Sequence, residues 1–127
     1  MNRERALKIL LALVGLLFLA GLYPLIAMLG QANPSNYGDQ MMLSIYVTLG
    51  VFLLLAIRNP SAHRSLIAFT AWSSFAHGAV MAVLAFQHAS DHEDFLVGTA
   101  VLVVIGVALL VLAPAKQLPE VVPAVPA

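Results

Sequence analysis

The chain has 127 residues, 61% of them hydrophobic and 9% charged. A soluble domain covers its surface with about 25% charged residues, so the solvent for most of this chain is lipid. Six basic residues against six acidic ones give no basic face for phosphates, which excludes a nucleic-acid partner, and the absence of cysteine excludes disulfides, thiolate metal sites, iron–sulfur clusters and cysteine nucleophiles.

Four apolar runs are each long enough to cross the ~30 Å hydrocarbon layer. The first covers 6–29, with Pro24 near its far end. Three basic residues at its start, Arg3, Arg5 and Lys8, also fit a secretory leader, but the run exceeds the roughly 7–15 apolar residues of one, and it reads as a retained span. The second span covers 40–57, the third 65–87 and the fourth 95–113. Backbone groups in hydrocarbon must pair within their own segment, so all four are expected to be helices, the valine-rich fourth included. Breakers separate them: Asn33-Pro34-Ser35-Asn36, Asn59-Pro60-Ser61 and Pro114. The expected fold is all-α, an integral membrane four-helix bundle, antiparallel and up-down-up-down, forming one domain over 1–113. The proline-rich tail, 114–127, is expected to be extended or disordered.

Direction follows from charge. The basic residues are Arg3, Arg5, Lys8, Arg58, Arg64 and Lys116. All flank span one's start, the second connection or span four's end, and positive residues in short loops stay cytoplasmic. Both termini are therefore expected inside, and the loop with Asp91, Glu93 and Asp94 outside. Tyr23 and Tyr37 fall near the outer interface, where amphipathic rings are favoured.

Span three is richest in small and weakly polar residues, which mark helix contacts in lipid. Thr70, Ser74, Gly78 and Ala82 recur every four residues, with Ser73 and His77 on a neighbouring stripe; Ser44 and Thr48 share a face of span two. At 1.5 Å per residue, His77 lies roughly 15 Å and Thr48 roughly 12 Å below the outer ends of their spans. A polar seam between spans two and three, built from His77, Ser73, Thr70, Thr48 and Ser44, is expected. Spans one and four are expected to be the more lipid-exposed.

His77 is the mid-span residue that titrates most readily near neutral pH, and such a residue by default marks a functional site. It could ligate haem, relay a proton or bind a head group. The plainer and favoured reading is a neutral imidazole bonded to Ser73 or Thr48 that ties two helices together. In the outer loop, His88 and His92 would share a face if helix three continued, and with Asp91 or Glu93 could chelate a metal. The plain alternative is a solvated loop that topology requires to be non-basic. No Gly-rich phosphate loop, HExxH motif or pair of intramembrane carboxylates is present.

The segments MMLSIYVTLGVFLLLA, RNPSAHRSLI and FTAWSSFAHGAVMA resemble a family of small bacterial four-span inner-membrane proteins without assigned function. The resemblance covers roughly residues 3 to 113 and implies the fold and a bacterial inner membrane, but transfers no functional residue. Three functions stay open: an accessory or structural subunit, or a self-associating bundle; a small transporter or proton relay using His77 and the His88/His92 loop; and a haem- or quinone-pocket subunit. The lipid bilayer and other membrane subunits, or a second copy, are the expected partners.

Overall fold

A computed structural model describes residues 2–116, 118 and 123–126. Regular structure among them is helical: α1 (Arg3–Leu19), α2 (Leu22–Leu29), α3 (Tyr37–Ala56), α4 (Arg64–Gln87) and α5 (His92–Leu112). Short 3-10 turns at Pro34–Asn36, Pro60–His63 and Ala89–Asp91 precede the last three. Four stretches, Arg3–Leu29, Pro34–Ala56, Pro60–Gln87 and Ala89–Leu112, are long and apolar enough to cross a membrane. Only 22% to 28% of the most apolar part of each is buried within the chain, so much of each span is left uncovered by the chain itself.

The starts of these elements follow from local chemistry. Asn2 caps α1 by accepting from the Arg5 amide at 2.8 Å, and Asn33 accepts from the Ser35 amide at 3.1 Å. Pro34 and Pro60 open their 3-10 turns, where a missing N–H leaves nothing unpaired.

Span one is interrupted. Pro24 has no N–H to offer the carbonyl of Ala20, and its ring crowds that carbonyl. The chain crosses the gap with tighter bonds, Gly21 N to Phe18 O at 3.1 Å and Tyr23 N to Ala20 O at 3.3 Å. Ala20 and Gly21 stay in the right-handed helical region, so α1 passes into α2 through a proline kink.

Packing is pairwise. α1 lies along α3 and α4 along α5; α1 touches α5 less, and α3 and α4 barely meet. The first pair closes on glycine: a Cβ added at Gly50 would stand 2.7 Å from the Gly15 carbonyl oxygen and 2.9 Å from the Leu19 amide nitrogen. The second pair closes on side chains over glycine, with the Phe75 ring covering Gly106 and the Met81 methyl covering Gly98. Thr99 Oγ1 joins the second pair, donating towards Gly78 O at 3.1 Å and towards Phe95 O of its own helix at 2.8 Å. The common core takes Leu7, Leu11 and Val14 from α1, Leu53 from α3, Ile67 from α4 and Leu109 from α5.

This differs from the expected division of spans into a central pair and a lipid-facing pair. Spans two and three are separated by a groove, while span one supplies much of the core. The physical reason is that lipid is as apolar as leucine, so a leucine-rich face has no preference for the outside. Close backbone approach decides the partners instead, and Gly15 and Gly50 supply it for spans one and two.

The bundle has chemically distinct ends. At one, Arg3 Nη2 donates to the carbonyls of Val111 (3.0 Å) and Ala113 (2.9 Å), and Arg64 Nε donates to Pro114 O at 2.8 Å. Two guanidinium groups thereby pair with carbonyls at the end of α5, where intrahelical donors have run out and the helix dipole is negative. This basic end gathers the start of α1, the start of α4 and the end of α5. The opposite, acidic end holds Asp39 and the connection carrying Asp91. Residues 113–116, 118 and 123–126 have no regular secondary structure; positions 117, 119–122 and 127, on which the expectation of an extended or disordered tail also bears, lie outside the described residues.

Candidate functional site

The proline kink shapes the most varied site. Beyond it, α2 leans on α3, and Gln40 Nε2 fastens the two by donating to Met28 O at 3.2 Å. Below that bond opens a cleft of about 370 Å³, lined by Pro24 and Met28 of α2, Asp39, Met42, Leu43 and Tyr46 of α3, and His77 of α4. Asp39 and Tyr46 are seven residues apart on one helix and so share a face, about 10.5 Å apart along the axis. The His77 ring stands edge-on to the Tyr46 ring, centroids 5.5 Å apart and planes at 87°. Tyr46 meets the Phe18 ring in the same way at 4.8 Å and 78°. A line of three rings thus links spans one, two and three at the cleft floor, in the edge-to-face geometry that aromatic quadrupoles favour.

His77 is half-buried, and among the described residues its ring is fixed by this stack, with no hydrogen bond to a protein group. The bonds envisaged from Ser73 or Thr48 to His77 are not formed. Ser73 Oγ and Ser74 Oγ both donate to Thr70 O, at 3.2 Å and 2.7 Å, and Thr70 Oγ1 donates to Leu66 O at 2.8 Å. Thr48 Oγ1 donates to Ser44 O at 2.9 Å, and Ser44 Oγ to Met41 O at 2.7 Å. Hydroxyls one turn beyond a free lone pair return to their own helix. Thr70 and Ser74 are buried in the bundle, Ser73 is half-buried, and Ser44 and Thr48 are exposed. Thr48 and His77 are therefore not brought together: His77 lines the cleft, while Ser44 and Thr48 line a separate groove of about 340 Å³ between α3 and α4, with Phe52, Leu66 and Phe69 on its walls. Of the small residues read as a packing stripe, Ser74 and Gly78 are buried and Ala82 is half-buried.

In the acidic connection, α4 stops at Gln87, His88 turns to an extended conformation, and a 3-10 turn leads into α5 at His92. His88 and His92 are consequently not on one continuous helical face, which removes the geometry for chelation at i and i+4. His92 Nδ1 is 2.7 Å from Ala85 O and its ring lies edge-on to Phe86, stapling the two helices. His88, Asp91 and Glu93 are exposed. Among the described residues, no group of three or more His, Asp or Glu side chains lies close enough together to hold a metal ion. Haem between two helices calls for a second axial side chain, and His63, His88 and His92 all sit at connections or helix starts, away from His77's position in mid-helix.

Asp39, Tyr46 and Thr99 did not stand out in the sequence. A tyrosine deep in a span, away from the interface where its hydroxyl is favoured, is the signal that would have found Tyr46. Thr99 is the one hydroxyl in span four. Asp39 is the acid that opens span two with no basic residue near it in sequence.

Four apolar spans in an all-helical chain define the class, a multi-pass helical membrane protein. Within that class the chain belongs to the family of unknown function DUF6632, whose family model matches residues 2–123. No curated protein and no solved structure matches the chain.

Proposed function

We propose that the protein is an accessory or structural subunit that packs against a transmembrane helix of a partner, in a bacterial inner membrane, with both termini cytoplasmic and the spans running up-down-up-down. One observation carries this reading: the groove between spans two and three leaves Ser44 and Thr48 exposed, uncovered by the chain's own helices. Both hydroxyl protons are engaged by their own helix, which leaves the oxygen lone pairs as free acceptors. Hydrocarbon tails satisfy no acceptor. A helix carrying Ser, Thr, Asn or Gln does, and interhelical bonds of this kind contribute about 0.6–2 kcal/mol in lipid. The groove between spans one and four, lined by residues such as Leu13, Leu17, Val101 and Val104, is apolar throughout, and lipid chains fill it equally well.

Basic residues collected at one end of the bundle support the orientation. The few buried residues of each span support a part that completes a larger assembly rather than enclosing a substrate path.

The reading is tested by placing a photo-crosslinking residue at Phe52, in the hydroxyl-bearing groove, and at Val104, in the apolar one, in the native membrane. A discrete adduct with a membrane-spanning segment is expected from position 52 and none from 104, and Ser44→Leu with Thr48→Leu should abolish it. Equal yields from both positions, lipid adducts alone, or an adduct indifferent to the two substitutions would each refute association through this groove. An adduct with a second copy of the chain would make the partner the protein itself.

A further inference from the structure

The cleft at the acidic end has a chemistry that packing does not use. Asp39 is exposed on its rim, and the ion pair found among the described residues, Glu4 with Lys8 at 3.1 Å, lies at the other end of the bundle. The basic residues are confined to positions 3–8, 58–64 and 116, and Arg3 and Arg64 are held at the basic end by carbonyls at and just beyond the end of α5. Among the described residues Asp39 therefore has no cation of its own, although it borders an apolar cleft, where a charge pair is stronger than in water. Behind it, Met28, Met42 and Leu43 offer deformable apolar walls, and Tyr46 with His77 forms an aromatic floor.

We infer that this cleft binds an amphipathic ammonium, with Asp39 as counter-ion at the mouth and the apolar body laid along Met28, Met42 and Leu43 to the Tyr46–His77 floor. The rise of about 10.5 Å along α3 from Asp39 to Tyr46 sets the shape: a cationic head followed by an unbranched apolar segment of about that length. An anionic amphiphile is repelled by Asp39, and a neutral one gains nothing from it. Two sources supply the required chemistry, the ammonium of a lipid head group or a free amphipathic amine.

The test uses the full chain in dodecyl maltoside, a detergent without charge, with ¹⁵N-labelled histidine. Titration with dodecylammonium should shift the His77 ring resonance saturably and leave that of His63, at the other end, in place; a His77→Gln variant assigns the signal. Asp39→Asn, an exposed change that keeps size, should weaken binding at least tenfold, and Asp91→Asn in the acidic connection should not alter it. Dodecanol, the same chain without charge, should bind at least tenfold more weakly. Displacement of dodecylammonium by dioctanoyl phosphatidylethanolamine would assign the site to a lipid head group; saturable binding that this lipid cannot displace would assign it to a free amine. The inference is overturned if Asp39→Asn or dodecanol matches the wild-type titration, or if His63 and His77 move together without saturation.

Discussion

Gly50 and Gly78 look alike as glycines in apolar helices, yet their surroundings differ. A methyl group at Gly50 would meet backbone atoms of α1 at 2.7 and 2.9 Å, and backbone cannot move aside as a side-chain tip can. At Gly78 the nearest neighbours of an added Cβ, Leu102 Cβ and Thr99 O, lie at 3.7 Å, an ordinary contact. Gly50→Ala should therefore destabilise the bundle by about 1–3 kcal/mol, the usual cost of overpacking. Gly78→Ala should change stability by no more than about 0.5 kcal/mol. Thermal unfolding of both variants in one detergent, followed by helical circular dichroism, compares them. Equal losses would mean that spans one and two do not meet through Gly15 and Gly50.

Elements in this molecule are joined by side chains that reach carbonyls near helix ends. Gln40 holds α2 to α3 through Met28 O, His92 pairs with Ala85 O, and Arg3 and Arg64 hold the end of α5. The arginines matter most, because Ala113 leaves the helical region and Pro114 follows, so no further amide continues the ladder. Each guanidinium also complements the negative pole of the helix, an effect of about 0.3–1 kcal/mol at an exposed site. Replacing both Arg3 and Arg64 by Gln should fray the last turn of α5 while leaving its middle intact. Hydrogen exchange should rise several-fold over 109–113 and stay unchanged over 99–105, because opening a last turn does not require the helix to leave the bundle. Protection that falls equally along the whole helix would show instead that these contacts hold the α4–α5 pair together.

At the scale of the whole molecule, the sequence is most legible where the physics is one-dimensional. Hydrophobic length marks four spans, and Asn33-Pro34, Asn59-Pro60 and Pro114 mark where they end, because each run must satisfy its own backbone. Partner choice is not written that way. Gly15 and Gly50 are isolated glycines in the sequence and become a contact only when two helices cross; Asp39, Tyr46 and His77 share a cleft although the first and last are 38 positions apart. Conversely, Thr48 and His77 match in depth yet face different spaces, since depth fixes height along a span and not rotation about it. Charge is the one remaining one-dimensional signal, and it makes the orientation directly measurable. The chain has no cysteine, so a single introduced thiol is the only site for a membrane-impermeant maleimide. Ser35 and Ser90 lie in the two connections without basic residues, and Ser61 lies between Arg58 and Arg64; all three are exposed. In intact cells Ser35→Cys and Ser90→Cys should label and Ser61→Cys should not, reacting only after the membrane is opened. Labelling of Ser61→Cys from outside would invert the bundle, turn the Asp39 cleft towards the cytoplasm, and leave the placement of every arginine without a cause.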